Sequence, residues 1–243
     1  SKFWSTSIIH KQILTIQLFM IIQIYAFSNA KDAITAANLG VDQIGFVAGD
    51  YGKVHGELSL ETSASIVNAV SGISTSVALT MSTDIEEIVA MAQFVKPDIV
   101  HVSTDPFDLD VQAMGDLRIR LGPQPQLMKA LPVEGNNSID LAEAFSTTCD
   151  YLLLDTKVTG LPGVGATGKT HDWNVSKKIV ERVKCPVILA GGLSSDNVLE
   201  AIQTVQPWGV DSNTSTNIEG DKVRKDMVRI ADFCEAARGN TST

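Results

Sequence analysis

Residues 186–212 read PVILAGGLSSDNVLEAIQTVQPWGVDS, and the order of elements in this stretch indicates the fold class. Two short apolar runs, at 186–190 and 208–212, flank a segment with helical periodicity at 195–205. A strand, a helix and a second strand in this order are typical of parallel strands joined by a crossover helix. We therefore interpret the stretch as one βαβ unit of a parallel sheet.

The same alternation extends along the rest of the chain. Eight βα units of this size predict an α/β protein with a closed (β/α)8 TIM barrel in a single domain. A doubly wound open sheet is the alternative, because periodicity does not report whether a sheet closes. The predicted strands lie at 20–26, 43–47, 75–80, 98–103, 126–131, 151–155, 186–190 and 208–212.

Helices are predicted between these strands, with ordinary start and stop signals. Ser138 and either Ser194 or Ser195 are predicted N-caps, and Gly40 stands where a glycine ends a helix. The barrel is predicted to span residues 20–239, after an N-terminal extension (1–19) of unknown role and before a short tail (240–243). The predicted helices lie near 30–39, 60–70, 84–95, 108–121, 138–147, 173–183, 195–205 and 221–237.

Composition and charge exclude several classes of function. The 243 residues include 19 Lys and Arg against 28 Asp and Glu, with a net charge of -9 and no basic run, which argues against a nucleic-acid partner. Cys149, Cys185 and Cys234 form no C-x-x-C pair, so neither a disulfide framework nor a zinc site is expected. No metal is predicted, and any anionic ligand must be met by backbone N–H groups and one or two Lys.

The N-terminus permits two interpretations. Residues 13–27 are strongly apolar and precede Ser28, Asn29 and Ala30, which imitates a signal peptide with a small-residue cleavage site. Residues 20–27 fit a buried parallel strand equally well. We predict a cytoplasmic protein with no membrane partner, and a secreted or organellar protein if the segment is a targeting signal.

Residues 163–170, GVGATGKT, match the sequence motif of the phosphate-binding loop of nucleotide hydrolases, but not its position between a strand and a helix. Seven residues separate this segment from the strand that ends at Asp155, and three more delay the next helix. A phosphate-binding loop instead joins its strand directly to a helix. The segment is better interpreted as a glycine-rich loop over a barrel mouth, where Lys169 would face an anion.

In a barrel, function is expected where strands end and βα loops begin. The polar and glycine-rich positions at the predicted strand ends are Tyr25, 48–57, Thr80, His101, Lys129, Asp155, Gly191, Gly192 and 211–215.

The segments YLLLDTKVTGLPGVGATGKTHDW (151–173) and PVILAGGLSSDNVLEAIQTVQPWGVD (186–211) resemble phosphoribosylanthranilate isomerase, a barrel enzyme of tryptophan biosynthesis. The resemblance extends from about residue 22 to the last helix. It implies an aldose–ketose (Amadori) isomerisation without a cofactor, in which Asp155 is the acid that protonates the ring oxygen. The other implied positions are a phosphate site at Gly191, Gly192, Ser212, Asn213 and Thr214 and a substrate loop with Gly168, Lys169 and Asp211.

The chain departs from the family pattern on the other side of the barrel. The family's Lys-Ile-Cys-Gly, whose Cys is the base, is Gln-Ile-Tyr-Ala here, so Tyr25 takes the position of the Cys. His101 is the best replacement base, because the unperturbed pKa of a tyrosine is about 10. The loop at 49–59 lacks the Arg that receives the anthranilate carboxylate, which leaves Lys53 or His55. The implied phosphate site is altered as well: after the last strand, the family's Val-Ser-Ser-Gly-Val-Glu is Ser-Asn-Thr-Ser-Thr-Asn at 212–217, which keeps hydroxyl and amide donors but not the glycine.

Three functions remain open at this point. The first is a divergent phosphoribosylanthranilate isomerase that acts through Asp155 with an unusual base. The second is an enzyme on the same scaffold with another phosphorylated sugar or metabolite as substrate. The third is a catalytically silent barrel that binds a phosphorylated ligand or a protein. The expected partner is a small phosphorylated substrate, and the protein is expected to be a monomer or a homodimer.

Overall fold

The computed structural model describes residues 20–156 and 171–239. The strands in these ranges are β1 Ile21–Ile24, β2 Gln43–Ala48, β3 Glu57–Leu58, β4 Thr75–Thr80, β5 Ile99–Val102, β6 Gln126–Pro132, β7 Tyr151–Asp155, β8 Val187–Leu189 and β9 Gly209–Ser212. Eight of them are parallel and pair in the order β1-β9-β8-β7-β6-β5-β4-β2, and β2 pairs back with β1 through Gln23 and Gln43. The sheet is therefore closed, which confirms the TIM barrel and excludes the open sheet.

Two-residue strand β3 was not predicted and does not belong to the ring of eight. It pairs with Val47 and Ala48 of β2, on the edge opposite to β4. It therefore adds a short strand at the carboxyl end of β2.

Helices follow the strands, as the alternation predicts. In six of them the side chain of the N-cap residue accepts a first-turn backbone N–H group, which satisfies a donor that has no partner within the helix; these residues are Asn29, Ser59, Asp84, Asp110, Asp172 and Asp226. The helices are α1 Ala30–Asn38, α2 Leu60–Val70, α3 Ile85–Val95, α4 Val111–Leu121, α5 Asn137–Phe145, α6 Trp173–Arg182, α7 Val198–Val205 and α8 Met227–Ala237.

Several predicted helix ends are wrong. The last helix begins at Met227 rather than at 221, because Asp221 accepts the N–H groups of Val223 and Arg224 and forms a turn instead. Ser138 is not an N-cap: it lies inside α5, where its hydroxyl donates to the carbonyl of Pro132. Gly40 follows Leu39, the C-cap residue of α1, with a φ of 98°, as predicted for a glycine that ends a helix.

The core has two layers that follow from the alternation of side chains along each strand. Outward-facing residues pack against the helices in one large apolar cluster. Inward-facing residues fill the barrel in a second cluster, and the same inward positions carry polar side chains toward the carboxyl ends. The buried apolar residues of the inner cluster are Tyr25, Ala26, Val47, Val77, Ile99, Met128, Ala130, Leu153, Ile188 and Ala190.

Aspartates close the amino-terminal end of the barrel in a repeated arrangement. Asp42, Asp98 and Asp150 each stand directly before a strand and accept a backbone N–H from a neighbouring strand, at 2.8, 2.7 and 2.7 Å respectively. These hydrogen bonds hold neighbouring strands in register and contribute to stability at this end of the barrel, whereas the chemistry of such barrels takes place at the opposite end.

None of the helices in the described ranges combines the length and apolar character needed to cross a membrane. The predicted extension (1–19), the tail (240–243), and Gly168 and Lys169 lie outside the described residues.

Candidate active site at the carboxyl ends of the strands

A cavity of about 740 Å³ opens at the carboxyl ends of the strands. Alternation carries inward-facing side chains from β1, β5, β7 and β9 to this end of the barrel. The structure thereby brings together predicted site residues that are far apart in sequence. Those that line the cavity are Tyr25, His101, Asp155, Asp211, Asn213 and Thr214.

Asp155 is the last residue of β7. One carboxylate oxygen, Oδ1, accepts the backbone N–H of Thr156 at 2.6 Å, and Oδ2 has no hydrogen-bond partner among the described residues. Burial raises the pKa of Asp155 to about 7, although the Thr156 hydrogen bond opposes this shift. A large fraction of this carboxyl group is therefore protonated near neutral pH, as a general acid requires.

Gly191 lies against this acid. A Cβ atom at this position would stand 2.7 Å from Oγ1 of Thr156 and 3.2 Å from Oδ1 of Asp155, and the φ of 88° is one that L side chains rarely adopt. Glycine is required here both for the backbone conformation and for the close approach to the carboxyl group.

Asp211 on β9 faces the same cavity and is held by the neighbouring strand. The register pairs it with Gln23 of β1, and Nε2 of Gln23 donates to Oδ1 of Asp211 at 3.1 Å. The pKa of Asp211 is raised to about 7, mainly by burial and further by the charge of Asp155, while the Gln23 hydrogen bond and the charge of Lys225 oppose the shift.

Tyr25 and His101 form a buried hydrogen-bonded pair. The Tyr25 hydroxyl and Nδ1 of His101 are 2.8 Å apart, and Nε2 of His101 has no partner within the described residues. Burial, and then the charge of Asp211, raise the pKa of Tyr25 well above its usual value. Burial, and then the charge of Lys129, lower the pKa of His101 to about 3. Both side chains are therefore neutral at neutral pH.

The loops after β8 and β9, where the phosphate site is predicted, are tied to each other. The Ser212 hydroxyl donates to the carbonyl of Leu193 at 2.9 Å, and Nδ2 of Asn197 donates to the carbonyl of Gly192 at 3.0 Å. Gly191, Gly192 and Ser212 do not line the cavity themselves, and Ser212 uses its hydroxyl proton within the protein. The two loops form the cavity wall at this side, and Asn213 and Thr214 face inward.

Lys225 is a buried lysine in this wall that the sequence analysis missed. Its ammonium donates to the carbonyl and Oδ1 of Asn213 at 3.0 and 3.2 Å, to Oγ1 of Thr216 at 3.2 Å and to Oδ1 of Asn217 at 2.6 Å. Burial lowers its pKa to about 7. The predicted helix ran through this position; Asp226, a good N-cap residue, was the signal that the helix starts later.

The loop after β2 forms the part of the rim that meets the segment after β9. The carboxylate of Glu57 accepts four backbone N–H groups, from residues 51, 52, 53 and 54, and so holds the loop in a compact turn. The ammonium of Lys53 donates to the carbonyl of Met81 at 3.1 Å. The ammonium of Lys222 lies 3.3 Å from Nε2 of His55. All three cationic or imidazole side chains line the cavity.

Lys129 is not part of the cavity, although it stands near a predicted strand end. Its side chain points outward from β6, where Nζ donates to the carbonyl of Thr104 at 2.5 Å and lies 6.0 Å from the centre of the Phe145 ring. Its effect on the site is electrostatic, through the pKa of His101.

Comparisons with known proteins agree with this architecture. Residues 22–236 match the family model described as N-(5'phosphoribosyl)anthranilate (PRA) isomerase. The chain is 32% identical over 221 residues to N-(5'-phosphoribosyl)anthranilate isomerase 2 of Methanosarcina mazei, which covers 91% of this chain and 95% of that protein. It is 29% identical over 224 residues to N-(5'-phosphoribosyl)anthranilate isomerase of Methanocaldococcus jannaschii, over 89% of this chain and 96% of that protein.

Solved structures show the same fold. Phosphoribosyl anthranilate isomerase from Thermotoga maritima superposes with a TM-score of 0.75 at 26% identity, over 90% of this chain and 99% of that one. An isomerase structure in complex with reduced 1-(o-carboxyphenylamino)-1-deoxyribulose 5-phosphate has a TM-score of 0.72 at 23% identity, with the same coverage. On the family match and these identities, the chain belongs to the N-(5'-phosphoribosyl)anthranilate isomerase family.

Proposed function

We propose that this protein isomerises N-(5'-phosphoribosyl)anthranilate to 1-(o-carboxyphenylamino)-1-deoxyribulose 5-phosphate, in the tryptophan pathway and without a cofactor. The observation that carries the proposal is Asp155: a half-buried carboxyl group at a strand end, with one oxygen anchored, the other open to the cavity, and a pKa of about 7. A group of this kind can hold a proton for the substrate and release it at neutral pH.

Asp155 acts first, as the general acid. It gives its proton to the ring oxygen of the ribose while the bond between that oxygen and C1 breaks. The nitrogen lone pair forms the C1–N double bond, and the sugar opens to an iminium. The hydrogen bond from Thr156 stabilises the carboxylate that remains.

The Tyr25 and His101 pair lies beside the opened sugar in this proposal. Each side chain fixes the orientation of the other through the 2.8 Å hydrogen bond, while Nε2 of His101 is buried without a partner among the described residues. A neutral pair of this kind positions hydroxyl groups by hydrogen bonds. The shifts in both pKa values weigh against either side chain as the base at neutral pH, since Tyr25 holds its proton and His101 binds one weakly.

The phosphate is placed at the loops after β8 and β9, the recurring anion site of this architecture. Gly191 and Gly192 do not line the cavity, so their part in this proposal is to shape the loop after β8, and Ser212 joins this loop to the one after β9 through the carbonyl of Leu193. Asn213 and Thr214 face the cavity there. Lys225 holds Asn213 from behind and supplies positive charge to the wall when it is protonated.

We assign the anthranilate carboxylate to the rim formed by the loop after β2, where residues 49–59 include no Arg. Lys53, His55 and Lys222 are the side chains that face this part of the cavity. Because the Glu57 carboxylate already fixes the loop, a carboxylate entering here meets preorganised groups. Gly168 and Lys169 are proposed to complete the substrate loop.

The partner in this proposal is a small phosphorylated molecule. A cytoplasmic location and a monomeric or dimeric state stay predictions of the sequence analysis.

The direct test is turnover of freshly prepared N-(5'-phosphoribosyl)anthranilate, followed by the loss of its fluorescence. The wild type is expected to convert it, and Asp155→Asn is expected to lose at least about a hundredfold in kcat, because general acid catalysis contributes at least this much. Asn keeps the shape of the side chain, so a cooperative melting transition close to that of the wild type is the control for folding.

No conversion by a folded wild type would contradict the proposal. If the protein then bound ribose phosphates and converted another phosphorylated sugar, it would be an enzyme with a different substrate. The absence of Arg from the loop after β2 favours this second function. Binding without conversion would identify a silent barrel. Unchanged activity of Asp155→Asn would remove Asp155 from the role of acid.

A further inference from the structure

The proposed reaction needs a base that removes the proton from C2 of the opened sugar, and no residue has yet been assigned to this role. Tyr25 occupies the position at the end of β1 where the family carries its Cys, but its hydroxyl is committed to His101 at 2.8 Å. A buried phenol next to a carboxylate keeps its proton. The base must therefore come from another residue that reaches the same part of the cavity.

Asp211 meets this requirement by position. It lies on β9, the strand that pairs with β1, in register with Gln23 and so close to Tyr25. Its side chain is 7% exposed and faces the cavity. The amide of Gln23 donates a hydrogen bond to Oδ1 of Asp211. Oδ2 has no hydrogen-bond partner in the described part of the chain, and it is accessible to solvent. One carboxylate oxygen is thus fixed and the other is open to a ligand.

The surroundings of Asp211 make its carboxylate basic. No ion pair to Asp211 forms among the described residues, and the ammonium of Lys225 is bonded to the loop after β9 instead. The groups that face Asp211 are Gln23 from β1, Tyr25 directly after β1, Asp155 from β7 and Lys225 from the segment before α8. A second carboxyl group, Asp155, across the same cavity disfavours two simultaneous negative charges.

We propose that Asp211 is the general base of this enzyme, and that it works opposite Asp155 as the second carboxyl group of an acid–base pair. The proposal rests on the isomerase function proposed above. The division of roles is the one that two carboxyl groups in different local environments commonly adopt: one holds the proton and the other is free to accept one. The raised pKa of Asp211 supports this assignment, because a stronger conjugate base accepts a proton more readily.

The proton transfer at C2 starts from the iminium, with Asp211 ionised. Oδ2 of Asp211 takes the proton from C2, the electrons of the broken C–H bond form the C1–C2 double bond, and the iminium electrons return to nitrogen. The resulting enol becomes the ketone when its hydroxyl proton goes to the Asp155 carboxylate and C1 takes the proton held by Asp211. Both carboxyl groups thereby return to their starting states, and no oxidant or co-reactant is needed.

The test compares single-turnover rates, with enzyme in excess, for the wild type, Asp211→Asn, Asp211→Ala and the matched control Asp116→Asn, whose side chain lies exposed on α4. Asp211→Asn keeps the size and the Gln23 contact, and we expect it to be at least about a hundredfold slower than the wild type. Formate fits the space that Asp211→Ala opens, and we expect added formate, but not chloride at equal ionic strength, to restore part of the rate. Asp116→Asn is expected to match the wild type.

Two results would overturn the assignment while the isomerase function stands. One is a single-turnover rate of Asp211→Asn within about threefold of the wild type, since removal of a general base costs far more. The other is a slow Asp211→Ala that formate does not accelerate, because a merely structural carboxylate is not replaced by a free anion. Titration with the reduced product analogue checks that each variant still binds. A wild type without turnover would instead refute the proposed function itself.

Discussion

At the residue scale, the site contains three ionisable groups whose pKa values burial has shifted close to neutral pH. Asp155 and Asp211 carry pKa values of about 7, and Lys225 has one of about 7 as well. In all three the largest cause is the loss of water around the charged form. Such groups exchange protons at physiological pH, which general acid–base catalysis requires.

The pH dependence of kcat/KM follows from these shifts. Asp155 must be protonated to act as an acid, so activity falls as the pH rises through its pKa. Asp211 must be ionised to act as a base, so activity falls as the pH drops through its pKa. We expect a bell-shaped profile with a maximum near pH 7, measured from about pH 5 to about pH 9 in buffers of constant ionic strength. A profile that is flat over this range would contradict the paired assignment.

At the scale of single elements, a glycine on β2 makes room for the side chain at the end of β1. A Cβ atom on Gly45 would stand 2.5 Å from the ring of Tyr25, a distance that real Cβ atoms essentially never show. The position of the Tyr25 hydroxyl, and with it the contact to His101, therefore depends on the absence of a side chain on the neighbouring strand. An aromatic residue in place of the smaller Cys of the family requires this space.

Gly45→Ala is expected to displace the Tyr25 ring and to destabilise the protein by about 1–3 kcal/mol, the usual cost of overpacking a core. Urea denaturation measures the free energy of unfolding, and turnover should fall with it. Gly115→Ala is the matched control: this glycine lies in α4, and the added methyl would approach no atom closer than Cγ2 of Thr148 at 3.6 Å. A gain of up to about 1 kcal/mol is expected there from helix propensity. Equal effects of the two substitutions would refute the packing argument.

At the scale of the whole molecule, stability and chemistry are separated at opposite ends of the barrel. Asp98, before β5, accepts both the backbone N–H and the hydroxyl of Ser76 on β4, at 2.7 and 2.6 Å. Asp42 and Asp150 do the same for β1 and β6 through a backbone N–H. These bonds join neighbouring strands at the end away from the cavity and help to keep the barrel closed.

Asp98→Ala leaves the N–H of Ser76 without its acceptor, and a buried unpaired donor costs about 1–3 kcal/mol. We expect the free energy of unfolding in urea to fall by this amount, while kcat at 25 °C stays within about twofold of the wild type because the cavity is untouched. A large loss of kcat without a loss of stability would show that the two ends of the barrel are coupled.

The sequence by itself determined the succession of strands and helices, because hydrophobic periodicity is a local property that each element carries within its own residues. It also indicated Asp155, Gly191 and the loop after the last strand, since a strand end is where a barrel exposes polar groups. Helix starts such as Met227 were missed where a side chain, here Asp221, stabilises a turn instead of the helix.

Only the tertiary structure decided closure of the sheet and the pairing of groups across it. Gln23 and Asp211 are 188 residues apart, and Tyr25 and His101 are 76 apart. Their contacts depend on strand register, and the pKa values depend on how completely the closed barrel removes water from each group. Lys225 likewise became part of the site only because the loop after β9 folds around its ammonium. Local patterns therefore name the candidate residues, and long-range packing assigns their protonation states and partners.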